Sequence, residues 1–308
     1  MPVYRDIDHL PLFQRAVITI GTFDGVHRGH LQIINQLLEE ARAVSGTPVL
    51  ITFYPHPKQV IDNGKAPLYL LTTPDERYRL LEDAGIEHIV EVPFTREFSE
   101  QHAFDYIRDF LVEKFRPHTI IIGYDHRFGR DREGDYRLLE SHAASFGYRV
   151  KEIPEHILRD VAVSSTRIRN ALLAGDVVTA CEYLGYPYFF HARVIQGDKR
   201  GRSIGYPTAN LVIEHERKLI PANGVYAVTV QEDKYGTFRG MMNIGLRPTV
   251  NGRERSIEVH LFDFDADIYG SRIRVAIHHR IRDEIRFSGM EELKQQLDRD
   301  KDQVLGLF

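Results

Sequence analysis

Two histidines three residues apart, His27 and His30, stand in the segment Gly21-Thr22-Phe23-Asp24-Gly25-Val26-His27-Arg28-Gly29-His30. A short apolar run over 16–20 precedes it. A helical pattern follows, with Leu31, Ile34, Leu37, Leu38 and Ala41 on one face. A strand-to-helix turn gathers backbone N–H groups and the positive end of a helix dipole, and so favours an anion. Spacing of three puts both imidazoles on one face of the first helical turn, and the glycines leave room for a ligand against the backbone. Donors so placed can hold triphosphate oxygens and stabilise charge on a departing pyrophosphate. The segment is neither GxxxxGK[ST] nor GxGxxG. The competing reading of the two histidines alone is a surface pair beside a turn.

Further candidates follow along the chain. In Phe53-Tyr54-Pro55-His56-Pro57 two prolines stiffen an aromatic loop suited to a flat ring. Phe53 reads as core, His56 and Pro57 as ligand contacts. Asp125 and Phe128 come after an apolar run over 119–123, where an α/β site should lie. In Ser164-Ser165-Thr166-Arg167-Ile168-Arg169, Ser165 or Thr166 can cap a helix. Arg167 and Arg169 there supply planar donors for phosphate oxygens. Residues 199–205 form a basic, glycine-rich loop of the kind that covers phosphates. Thr208 and Asn210 offer oxygens on one side of an extended segment, and oxygen donors with ATP phosphates suit Mg²⁺. Glu258, His260 and Phe262 alternate on one side of a strand. Glu258 is either a general base or a salt-bridged barrel residue, and His260 reads as structural. Cys181, in an apolar helical context, reads as a small core residue.

These residues need elements to hold them. The chain of 308 residues has 43% hydrophobic and 27% charged residues, a net charge of −4, one Cys and no Trp. That composition is globular, its length favours two domains, and one cysteine excludes a disulfide scaffold or multi-thiolate zinc site. No signal peptide or membrane-length apolar run is visible, so a cytoplasmic protein is expected. Residues 1–183 carry 21 basic and 27 acidic side chains, and 184–308 carry 19 and 17. Neither balance suits a general nucleic-acid binder. The first half alternates strands (16–20, 49–53, 88–92, 119–123, 148–153) with helices (from 31, then 74–84, 104–115, 136–146), which predicts a parallel sheet covered on both faces. Helical stretches over 165–173 and 177–184 follow. Beyond them come β-rich runs over 188–196, 225–231, 238–244, 256–264 and 271–281. Turn signals at Asn223-Gly224 and Asn251-Gly252 predict a small antiparallel barrel, closed by a helix over 290–305.

GTFDGVHRGH resembles the HxGH-type signature of nucleotidyltransferases. The fuller GxFDGxHxGH resembles the adenylyltransferase module of the prokaryotic bifunctional riboflavin kinase/FAD synthetases. FYPHP resembles that family's Phe-x-Pro-His-Pro loop, GYDHRFG its GxDFxFG segment, SSTRIR its SSTxIR motif, GYPTAN the kinase module's GxPTAN, and NIGLRPT its NxGxxPT. His126 stands where the family usually has Phe. The resemblance spans nearly the whole chain, with the motifs in family order. It implies a Rossmann-like nucleotidyltransferase α/β domain over 1–183, a linker over 184–188, and a small antiparallel β-barrel riboflavin kinase domain with a C-terminal helix over 189–308. It implies that riboflavin is phosphorylated to FMN and FMN adenylylated to FAD, with ATP and Mg²⁺. In that frame the catalytic residues are Glu258, as the base, with His27 and His30. Gly21, Phe23, Asp24, Gly29, Ser164, Thr166, Arg167, Arg169, Gly201, Thr208 and Asn210 bind ATP, the last two through the metal. His56, Pro57, Asp125, Phe128 and Arg247 meet the flavin. Partners are small molecules, with no nucleic acid and no membrane, and no oligomeric state is specified. The rivals are a different nucleotidyltransferase, against which PTAN and EVHLFDF argue, and a flavin-binding regulator, against which the intact candidate catalysts argue.

Overall fold

The computed structural model describes residues 1–62, 67–154, 163–197, 201, 204–249 and 252–308, with the side chains of 247–249 and 252–254 left undescribed. Lys199, Arg200, Arg202 and Ser203 of the expected phosphate-covering loop, and Asn251 of a turn signal, lie outside the described residues. The side chain of Arg247 does too. The chain forms two compact units, Met1–Ser165 and Thr166–Phe308.

In the first unit, short β-branched runs bury into one sheet. Its strands are β1 (Val3–Tyr4), β2 (Val17–Ile20), β3 (Pro48–Tyr54), β4 (His88–Pro93), β5 (Thr119–Gly123) and β6 (Arg149–Ile153). All pairings are parallel, in the order β1-β4-β3-β2-β5-β6. β2, fully buried, sits between β3 and β5. The strand order reverses there, and in open α/β sheets that is where ligands gather. The five expected strands are present, and β1 adds a two-residue edge. Helices cover both faces. On one, α1 (Arg28–Ala43) buries Ile34, Leu37 and Ala41, and α3 (Pro74–Asp83) buries Tyr78 and Leu81. α3 follows α2 (Pro57–Ile61) and opens on a reciprocal capping box between Thr73 and Glu76. On the other face a helical stretch passes through a π-helical run, Tyr106–Val112, which packs Tyr106, Ile107, Phe110 and Leu111 into the sheet. α4 (Tyr136–Phe146) ends on Gly147 at φ +74, a left-handed cap that glycine adopts without strain.

The second unit opens with α5 (Ser165–Ala174) and α6 (Val177–Leu184). A closed, wholly antiparallel barrel of six strands follows. They are β7 (Tyr188–Ile195), β8 (Ala209–Ile213), β9 (Gly224–Glu232), β10 (Gly236–Thr249), β11 (Gly252–Leu261) and β12 (Arg272–Arg282). β8 is the strand absent from the sequence reading: it is short and continues directly from the irregular segment Tyr206-Pro207-Thr208. α7 (Met290–Leu305) closes the chain. Its buried Asp300 receives Arg282 Nε and Nη2 at 2.7–3.0 Å, which fastens the helix to β12. Cys181 is half-buried and accepts Tyr188 N–H at 3.3 Å, and burial pushes its thiol up. It is a packing residue.

Candidate active sites

The turn after β2 is assembled against its own backbone preferences. Phe23 (φ +47) and Val26 (φ +34) are left-handed, a costly choice for bulky residues that persists only where surroundings enforce it. The enforcement comes from Asp24. Its fully buried carboxylate accepts Leu71 N–H (3.0 Å), Thr72 N–H (2.9 Å) and the Thr72 hydroxyl (3.1 Å). Asp24, expected at the phosphates, thus ties this turn to residues 71–72. Phe23, with the same expectation, is a core residue whose ring lies 5.0 Å from that of His30. A Cβ on Gly21 would touch the Phe23 ring at 3.0 Å.

His27 is the N-cap of α1, its Nδ1 accepting His30 N–H at 3.3 Å. A neutral His27 therefore carries its proton on Nε2. The two imidazoles stack at 3.7 Å and 13°. Burial, reinforced by His27 and then Arg77, pushes His30 well below its ordinary 6.5, so it is neutral at pH 7. His30 Nδ1 is buried with no hydrogen-bond partner among the described residues, which marks a place for a ligand. A Cβ on Gly29 would sit 3.2 Å from the His27 ring and 3.6 Å from Val163 O. Ser165 Oγ donates to Asp24 O at 3.0 Å. The start of the SSTRIR segment thus lies against the histidine turn. Ser165 serves as a latch there, beyond the capping expected of it. Ser164, Thr166 and Arg167 are exposed, while Arg169 is buried.

Beyond the ends of β3 and β5 the aromatic residues divide. Phe53 is core, as read, packed edge-on against Phe94. His56 is buried and its Nδ1 caps α2 by accepting Lys58 N–H at 3.2 Å, a structural task the loop reading did not include. Pro57 starts that helix, and Tyr54 and Ile61 carry the exposed apolar surface beside it. Asp125 is exposed. Phe128 is buried and stacks on Tyr106 at 5.0 Å. Tyr106 was not anticipated, since in sequence it is one of several apolar positions on a helix.

In the barrel, Asn210 on β8, Glu258 on β11 and Asn243 on β10 are direct register partners, so the three side chains share one face. The Thr208 hydroxyl donates to Glu258 Oε2 at 3.1 Å. His260 is buried, and burial lowers its pKa, so it is neutral. Its Nδ1–H donates to Pro207 O at 2.7 Å, which seats the turn before Thr208 and bears out its structural reading. Asn210 is packed so closely that a Cβ on Gly197 would fall 1.9 Å from its Nδ2. Gly201 accepts Tyr206 N–H at 2.9 Å, and a Cβ there would collide with Tyr206 O. Beside Thr208 lies a cavity of about 330 Å³ bounded by Pro207, Ala209, Phe264 and residues 265–269.

A histidine-bearing turn thus lies at the sheet's switch point, and a carboxylate flanked by asparagines lies on the barrel. The FAD synthetase family model matches residues 11–167 and the riboflavin kinase family model residues 184–308. A bifunctional riboflavin kinase/FMN adenylyltransferase of Escherichia coli K12 is 39% identical over 286 residues, 93% of this chain and 90% of that protein. Its Bacillus subtilis counterpart is 34% identical over 96% of this chain and 93% of its own. A crystal structure from Streptococcus pneumoniae, described as a macrolide-efflux protein, superposes with a TM-score of 0.87 at 32% identity, covering 98% and 97% of the two chains. Among the described residues here no helix is long and apolar enough to cross a membrane. The chain belongs to the bifunctional riboflavin kinase/FMN adenylyltransferase family.

Proposed function

We propose that each module carries out its reaction with the residues of its own site. The barrel transfers the γ-phosphoryl of ATP to the ribityl 5′-hydroxyl of riboflavin, and the α/β module transfers AMP from a second ATP to FMN, releasing pyrophosphate. On this reading the functional modules are 1–183 and 189–308, joined by 184–188.

In the barrel, Glu258 takes the proton of the ribityl 5′-hydroxyl as that hydroxyl's oxygen attacks the γ-phosphorus and ADP leaves, and the Thr208 hydroxyl holds the carboxylate in place for this. The observation that carries the assignment is the row Asn210–Glu258–Asn243 with Thr208 bonded to its centre. Thr208 and Asn210 are oxygen donors, the hard ligand set that suits Mg²⁺. Among the described residues no group of three His, Cys, Asp or Glu could hold a metal alone, so the ion would arrive with ATP. When bound, Mg²⁺ neutralises phosphate charge, which with positioning is most of what phosphoryl transfer needs. The cavity beside Thr208 receives the nucleotide.

In the α/β module the FMN phosphate is itself the nucleophile. His27 Nε2–H and the neutral His30 ring donate to the ATP phosphates as charge builds on the leaving pyrophosphate. Gly21 and Gly29 admit the phosphate chain, and Phe23 and Asp24 hold the turn. Ser164, Thr166, Arg167 and Arg169 add to this site, and Gly201 to that of the barrel. The flavin packs on Pro57, Asp125 and the Phe128–Tyr106 pair, with Tyr54 and Ile61 beside it and His56 holding the loop. The partners are small molecules and the location cytoplasmic.

Incubation with riboflavin, FMN and Mg-ATP followed by flavin separation tests this. Glu258→Gln should abolish FMN formation and leave FAD formation from supplied FMN. His30→Ala should do the reverse. Unchanged kinase activity in Glu258→Gln removes that residue from its role, and simultaneous loss of both activities in either variant overturns the division of labour.

A further inference from the structure

Arg77 lies on α3 in a stretch, Pro74-Asp75-Glu76-Arg77-Tyr78-Arg79, where charge ordinarily faces solvent. It is instead 3% exposed. Its Nη1 donates to Thr22 O at 3.1 Å, and the Thr52 hydroxyl reaches the same carbonyl at 3.2 Å. Thr22 immediately precedes the left-handed Phe23. The pair of donors therefore fixes the point from which the histidine turn departs.

Arg77 has carboxylates near it but is poorly hydrogen-bonded. Glu91 Oε2 lies 3.7 Å from Nη2, beyond hydrogen-bond length, and that carboxylate already accepts the Tyr78 hydroxyl and Arg5 Nε. Asp24, though bonded to residues 71–72, keeps its negative charge and acts on Arg77 through space together with Glu91. Arg77 Nε and Nη2 have no hydrogen-bond partner among the described residues. A buried cation with two of its donor nitrogens unsatisfied is costly. Such costs are tolerated where a bound anion offsets them, and arginine stays charged even when burial lowers its pKa, as it does here.

We propose that Arg77 is a positioning residue of the adenylyl-transfer site: it anchors the Thr22 carbonyl, and with it the turn that sets His27 and His30, and it supplies a fixed positive charge beneath the phosphate-binding turn. This rests on the reading of His27 and His30 given above. Asp24, Glu91, Tyr54 and Tyr78 face the guanidinium. His30 is faced by His27 on its own helix and by Arg77 from α3, with the Phe23 ring alongside. Arg77 therefore helps to keep His30 neutral as pH falls.

The experiment measures FAD formation from FMN and Mg-ATP against pH in the full chain, with riboflavin phosphorylation as internal control. Arg77→Met should lower kcat/KM by about 10- to 100-fold, the usual range for a lost hydrogen bond to a charged group. It should also move the acid limb to higher pH, because His30 then protonates more easily. The FMN phosphate titrates alike in every variant and cancels in the comparison. Arg77→Lys keeps the charge but shortens the reach, so its acid limb should stay in place with a smaller loss. An unchanged kcat/KM in both variants, or a loss in Arg77→Met with no movement of the acid limb, overturns the proposal. Should Arg77→Met fail to fold, Arg77→Lys decides: wild-type kcat/KM at every pH overturns the anchoring role. His30→Ala, assayed alongside, separates the two readings. If it remains active, the histidine assignment fails; if it is inactive, the Arg77 variants judge the proposal alone.

Discussion

Gly197 shows how a residue without a side chain can decide the chemistry of another. Any Cβ there would occupy the place of the Asn210 amide, and Asn210 is buried, with little freedom to yield. Gly197→Ala should therefore displace Asn210 and cost riboflavin phosphorylation about 10- to 100-fold, since small misplacements near reacting atoms have effects of that size. FAD formation from supplied FMN should be untouched, and separate assays of the two steps check this. On spacing alone His27 and His30 could be a surface pair and Glu258 a salt-bridged residue. The family resemblance singles them out with Thr208 and Asn210, and the structure stacks the two histidines and bonds Thr208 to Glu258. Gly197 and Arg77 were not legible in the sequence. Their roles depend on neighbours 13 and 55 positions away, and one-dimensional patterning does not reach that far.

At the scale of elements, apolar runs placed four of the five main strands of the sheet, because buried parallel strands are apolar throughout. β6, an edge strand with Arg149, Lys151 and Glu152 exposed, followed from its place after a helix ended by Gly147. β1 escaped because two residues make no pattern. β8 escaped because its first residues serve the site and so lack a strand's alternation. The helix over 290–305 was visible from its stripe, whose Leu297 and Val304 pack on Tyr206, Met241 and Phe262, and a polar clamp adds to that packing. Arg282 is largely buried against Asp300, and removing one member of such a pair leaves the other uncompensated. Asp300→Ala should destabilise the second unit by about 3 kcal/mol, read as a lower urea midpoint for loss of kinase activity. Asp300→Asn should fall between it and the wild type.

At the scale of the whole molecule, the first unit should be the acid-sensitive one. His126 is pushed down to about 4, chiefly by burial and against the pull of Asp125, and its Nε2 lacks a partner among the described residues. Unfolded, the same ring titrates near 6.5. The unfolded chain thus binds more protons between those values, and stability falls as pH drops from about 6.5 toward 4, by on the order of 3 kcal/mol from this residue. His30 acts with the same sign. Thermal unfolding between pH 7.5 and 4.5 should show the loss, and His126→Phe should reduce it. The boundary between the units has another consequence. Ser165, the last residue of the first unit, bonds to Asp24 across 141 positions. The latch is therefore synthesised 141 positions after the turn it holds. Asp24 and Arg77 already hold that turn, so Ser165 adds a last fastening drawn from the far end of the unit.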